Sequence, residues 1–250
     1  MKSELQLIPL ENLAIAFVPV LVVLAILYRW SHDVRTPLLS VGRMLVQLLL
    51  VGYILAYIFE SEKAALVISV LSVMMAAASW IALWPVKDRR RQLYTKSLLS
   101  IAIGGVPTLL LVTQGVLTLD PWFSPPKMIP LAGMIFANAM NAVSLAADRF
   151  SSEVKNGVGY EEARQTAFRA SLIPITNALF SVGIVSLPGM MTGQILSGVS
   201  PLIAVRYQIV VMTMVFGSAG ISAACFLQML KSDVNTIECT ESALGEEPVV

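Results

Sequence analysis

Few residues of this 250-residue chain could do chemistry in an apolar setting, and they come in close pairs. Arg43 and Gln47 stand one helical turn apart, and Asn138 and Asn141 share a face three residues apart. Amides and guanidinium groups buried at depth need partners, because an unpaired buried amide costs a few kcal/mol. These four are therefore expected to face a bundle interior, where they bridge helices or line a path for a polar solute. A second cluster lies in SLPGMMTGQILSGVSP, residues 186–201. Pro188 suits a helix start or kink, Gly189, Gly193 and Ser197 put small residues on one face, and Ser200 with Pro201 reads as the cap and first turn of a helix. Such a face is suited both to close helix packing and to a translocation path, and the two readings are compatible. Met190 and Met191 belong to the same stretch. Twelve methionines could offer thioethers to a soft metal, but without a clustered Met, Cys or His set they read as packing residues, and no metal-ligating set can be named.

Catalytic patterns are missing. There is no G-x-x-x-x-G-K-[ST], G-x-S-x-G or H-E-x-x-H, and the one histidine, His32, lies in a connecting loop. The chain is thus expected not to be an enzyme and to hold no cofactor of its own. All 16 carboxylates lie outside the apolar runs or at their edges, which argues against proton coupling through a titratable group at depth and against carboxylates gripping a hard cation. Cys225 and Cys239 cannot make a disulfide framework.

The elements that carry these residues follow from composition. The chain is 56% hydrophobic and 13% charged, against about 25% charged for a soluble domain, and its mean hydropathy is +0.77. A net charge of +1 without basic-aromatic interleaving leaves no role for nucleic acid. A helix rising about 1.5 Å per residue crosses a hydrocarbon core of about 30 Å in roughly 17–25 apolar residues. Seven such runs occur, at 13–30, 38–59, 64–84, 98–119, 128–147, 172–196 and 202–230, with Pro188 and Gly189 able to split the sixth. The fold class is all-α, a polytopic helical bundle in the lipid bilayer. The first run lacks an A-x-A-like cleavage site and is expected to stay in the membrane.

Thirteen of the 17 Lys and Arg residues flank one set of alternate loops and four the other. This asymmetry predicts an outside N-terminus and a cytoplasmic C-terminus. Residues 1–230 are expected to form the transmembrane domain. Residues 148–171 read as one amphipathic cytoplasmic helix, with Tyr160, Ala163, Ala167 and Ala170 on one face, able to dock on a soluble partner or rest on the bilayer surface. Residues 231–250 read as a disordered acidic tail.

Three blocks carry a family resemblance: SVGRMLVQLLLVGYILAYIF (40–59), IPLAGMIFANAMNAV (129–143) and VGIVSLPGMMTGQILSGVSPLIAVRYQIVV (182–211). They resemble the FetB-type family of iron-export ABC permeases, to which plant aluminium-tolerance membrane proteins also belong. The resemblance implies a transport subunit of the plasma or bacterial inner membrane, working as a homodimer with a separate ATP-binding cassette subunit that holds ATP and Mg. It also implies export of a metal ion, iron-like, or of a small solute. Carried over residue by residue, the family's coupling segment falls on Glu153, Gly159, Ala163, Arg169, Ala170 and Pro174, with NGVGYEEA where the family has an L-G-A-T tetrad. An ATP-independent channel or facilitator and a non-transporting membrane scaffold remain as alternatives from the residues alone.

Overall fold

The computed structural model describes residues 9–30, 34–59 and 63–231. The described residues form nine α-helices: α1 Leu10–Ile15, α2 Val18–Trp30, α3 Arg35–Phe59, α4 Ala64–Ala82, α5 Arg90–Leu110, α6 Pro125–Lys155, α7 Tyr160–Ser181, α8 Gly189–Leu196 and α9 Pro201–Met229. The all-α expectation holds. Six of the described helical stretches are long and apolar enough to cross a membrane. The acidic tail lies outside the described residues.

The chain divides into two compact units, Met1–Ser61 and Glu62–Val250. In the first, α2 is apolar up to Arg29, α3 is mostly apolar but carries Arg35, Arg43 and Gln47, and no described side chain of α2 is buried. A long helix with a predominantly apolar surface is matched to lipid rather than water.

In the second unit α6 is the central helix, packed on α4, α5, α7 and α9. Lipid competes for apolar surface as well as a neighbouring helix does, so these helices hold together by close packing and hydroxyl bonds. Gly104 of α5 lies against α9 so tightly that a Cβ there would stand 2.8 Å from the Ser218 carbonyl oxygen and 2.8 Å from the Ser222 nitrogen. Gly105 opens the adjoining face to α6, where a Cβ would stand 2.9 Å from Cε1 of Phe136. Between α4 and α5, the fully buried Ser97 hydroxyl donates to the Ser79 carbonyl at 3.0 Å.

The charged ends of these helices gather at one end of the unit. The last carbonyls of α4 lack helical partners, and Arg90 supplies them, donating to the Trp80 carbonyl through Nε at 2.9 Å and Nη2 at 2.6 Å. Lys96 donates to the Met229 carbonyl at the end of α9 at 2.9 Å, so a cation sits at a helix C-terminus where the dipole favours it. The basic 87–91 turn, the end of α6, the start of α7 and the end of α9 therefore lie together.

Two sequence expectations change here. Residues 148–171 are not one helix: α6 stops at Lys155 and α7 starts at Tyr160. Gly157, at φ +79°, takes the left-handed conformation, its N–H bonds to Val154 O and the Val158 N–H reaches back to Glu153 O, the paired bonds that close a helix on glycine. The run 172–196 is likewise divided. α7 ends at Ser181, Gly183 turns at φ +83°, and Pro188 precedes α8, which closes on Gly198 as α6 closes on Gly157. Because α7 starts beside the end of α9 while α9 spans about 43 Å at 1.5 Å per residue, residues 160–200 return the chain to the opposite end in two helices joined by a bend. Ser200 precedes Pro201 at the start of α9 as expected, although the serine hydroxyl makes no capping bond.

Candidate functional site

The best-defined polar assembly is the α6–α7 corner. Phe150 near the end of α6 meets Tyr160 at the start of α7 edge to face, 5.9 Å between ring centres, and the Tyr160 hydroxyl donates to the Leu227 carbonyl of α9 at 3.0 Å. Burial pushes the Tyr160 phenol above its ordinary pKa, and the Arg164 guanidinium beside it acts in the opposite direction. Arg164 also pairs with Glu161 at 2.7 Å and donates to the Gln228 side chain at 3.0 Å. Three helices are thus pinned at one corner.

The expected coupling residues divide at this corner. Ala163, with Ala167, is completely buried, so the stripe read from the sequence is real but faces the bundle, not a soluble partner. Glu153 is half-buried and paired with Arg149 one turn earlier at 2.6 Å. Gly159 and Arg169 are exposed, as are Glu161, Glu162 and Gln165. Gly159 has open space where a side chain would project. The corner therefore presents an exposed polar edge on a rigidly held base, an arrangement that can receive a partner and transmit its movement into α7.

Beneath the corner, Asn138 and Asn141 line a cleft of about 100 Å³ between α6 and α7, with Ser171, Pro174 and Ala219. The expectation that they bridge helices is not met: Asn138 donates to Met134 O of its own helix at 2.8 Å. Asn141 is exposed toward the cleft. Pro174 lacks an N–H, so its own turn of α7 is one bond short where it borders this cleft. The arrangement offers amide donors and acceptors to a small polar guest.

The remaining expected residues are divided between the two units. Arg43 and Gln47 are exposed on α3 of the first unit, not enclosed by it. Pro188, Met190 and Met191 are half-buried, whereas Gly189 and Gly193 are exposed with nothing within 4 Å of a Cβ at either. The small face of α8 thus meets no neighbour among the described residues of its own unit. Methionines behave as packing residues where their surroundings are defined: Met128 and Met214 are buried, and Met74 lies against Gly133. Among the described residues no three His, Cys, Asp or Glu side chains gather where a metal ion could be held.

Sequence reasoning missed Gly104, Ser222 and Gln208. Gln208 is 5% exposed, and its Oε1 has no hydrogen-bond partner among the described residues. The run GSAGISAA at 217–224 opposite Gly104-Gly105 was the available signal for the tight α5–α9 contact. No comparable signal marked Gln208.

Comparison with known proteins places the whole arrangement. The family model described as "Uncharacterised protein family (UPF0014)" matches residues 10–234. A UPF0014 membrane protein of Synechocystis is 36% identical over 216 residues, 80% of this chain and 78% of that protein. "Probable iron export permease protein FetB" of Escherichia coli is 33% identical over 243 residues, covering 88% of this chain and 91% of its own length. "Protein ALUMINUM SENSITIVE 3" of Arabidopsis thaliana is 31% identical, covering 82% and 80%. No solved structure is significantly similar.

Proposed function

The chain belongs to the UPF0014 family of membrane proteins, and from that premise we propose that it is the membrane-spanning permease subunit of an ABC transporter. A separate ATP-binding cassette subunit holds ATP and Mg and hydrolyses nucleotide; this chain holds neither. The cargo is a metal ion such as iron or a small solute, moved outward; the Escherichia coli relative is named as a probable iron export permease. The charge-rich end, where the α6–α7 corner lies, faces the cytoplasm.

The observation that carries this reading is the corner itself. Gly159 in the turn, Glu162 in the first turn of α7 and Arg169 further along that helix stand exposed, and Phe150, Tyr160 and Leu227 hold the start of α7 to the bundle. Movement applied there passes directly into α7 and the Asn138–Asn141 cleft, a packed element rather than a slack loop. A metal cargo would cross hydrated or chelated, meeting amides rather than carboxylates. A homodimer is part of the proposal, because Arg43 in a membrane helix needs a polar neighbour and the open face of α8 accepts a second helix.

The cleft by itself also suits a passive facilitator, so the test must separate the two. Purification through a tag should bring down a stoichiometric P-loop ATPase, and in proteoliposomes flux should require ATP. Gly159→Leu and Arg169→Glu should abolish transport-linked ATPase stimulation, with membrane insertion unchanged. Flux without nucleotide, or normal coupling in both variants, would sink the reading.

A further inference from the structure

Beside the corner, at the same charge-rich end, the second unit carries a groove unused by the function proposed above. Its volume is about 170 Å³, many times the roughly 10–15 Å³ that one water needs. The floor is apolar, made by Leu93, Phe150, Val154, Phe226 and Leu230, and the rim carries Arg89, Lys155 and a single carboxylate, Asp88. Arg89 and Lys155 are exposed and make no ion pair among the described residues. An apolar trough with an unneutralised basic rim fits an acidic segment bearing aliphatic side chains.

Such a segment begins one residue beyond the groove. Leu230 lines it, and after Lys231 the chain continues through residues 232–250 with five carboxylates, Asp233, Glu238, Glu241, Glu246 and Glu247, and no Lys or Arg. Val234, Ile237 and Leu244 lie between the acids. A tether this short holds the segment at high effective concentration, so weak pairing suffices. We propose that residues 232–250 fold back as a strap, placing aliphatic side chains on the Phe150–Phe226–Leu230 floor and carboxylates against Arg89 and Lys155. The docking itself does not depend on the ABC reading; only its consequence, shielding of the face beside the α6–α7 corner, rests on that reading.

The chain carries its own probe, since Cys239 lies in the segment and Cys225 is the other cysteine. In the full-length Cys225→Ala chain in native membranes, Ser151→Cys adds a thiol to the groove wall. Nine residues beyond Leu230, Cys239 can reach up to about 30 Å, enough to come back over the groove. Mild oxidation should join the introduced thiol to Cys239 within one chain at least fivefold more than it joins one introduced by Gln165→Cys, which is exposed near the end of α9 but outside the groove. Adding Arg89→Glu and Lys155→Glu should cut that yield severalfold, as should 0.5 M salt. A yield equal to the Gln165→Cys control, or one indifferent to charge reversal, overturns the strap. So do disulfides that join differently tagged copies, which would seat the segment on a second chain. A second readout needs no groove variant: a bulky maleimide should label Cys239 at least threefold more slowly in the native chain than after denaturation in detergent, and equal rates also overturn the proposal.

Discussion

Gly104 and Gly105 on α5 and Gly189 and Gly193 on α8 are two pairs of helix positions without side chains, the first pair on adjoining faces and the second one turn apart on one face. The α5 pair is closed: α9 and α6 lie so near that a Cβ at either position would collide with them. The α8 pair is open, with nothing within 4 Å at either glycine. Small residues permit a close approach, but they do not supply the partner. For α5 the partner is on the same chain, where Ser218 and Ser222 offer a second narrow face. Within the second unit the α8 face has none.

The largest effect expected from this contrast comes from filling each pair in turn. Gly104→Leu must push α5 from α9, and overpacking of this kind costs about 1–3 kcal/mol or more, so yield of monodisperse protein and its melting midpoint in detergent should both fall sharply. Gly193→Leu should leave the midpoint of the isolated chain unchanged and affect only dimerisation or transport. Equal losses in both variants would erase the contrast and mean that α8 is packed after all.

A smaller effect sharpens a second contrast, between the pinned base of the α6–α7 corner and its free edge. Tyr160→Phe removes the bond to Leu227 O, worth about 0.5–1.5 kcal/mol, whereas Glu162→Ala on the exposed edge should leave thermal stability unchanged. The tyrosine also predicts a pH dependence. Its folded pKa is raised, so above the unfolded value of about 10 the folded chain keeps a proton that the unfolded chain loses. Stability is therefore full below that pH and falls as pH rises beyond it, and Tyr160→Phe should flatten that slope in alkaline melting curves. The smallest effect on stability should come at Asn141, which makes no helix-bridging bond. Asn141→Leu should leave the melt unchanged and lower flux; a falling midpoint with normal flux would make this asparagine structural.

Much of the architecture was legible in the residues. Long runs of Leu, Val, Ile and Ala leave a helix in lipid as the only way to satisfy the backbone, so class, environment and most helix positions could be read before any packing was known. The buried stripe Tyr160, Ala163 and Ala167 was also legible, because it obeys helical spacing. Its partner was not. A periodic face says that something covers it, and only the placement of α6 and α9 reveals that the bundle does so. The break at Gly157 was visible as Asn-Gly but outweighed by the periodicity on either side of it, and a left-handed glycine ends a helix whatever pattern resumes beyond.

Composition and spacing alone determined that this is a helical membrane protein with its positive charge at one set of loops. Those properties are sums over local sequence, each residue contributing whatever its neighbours do. Only the tertiary structure decided that Asn138 bonds back to its own helix while Asn141 borders a cleft, that Gly104 rather than Gly193 is closed by a neighbour, and that an apolar groove with a basic rim opens where α9 ends. Each depends on which distant segment arrives beside the residue and how closely, and in an apolar bundle many faces are similar enough that sequence spacing cannot choose between them.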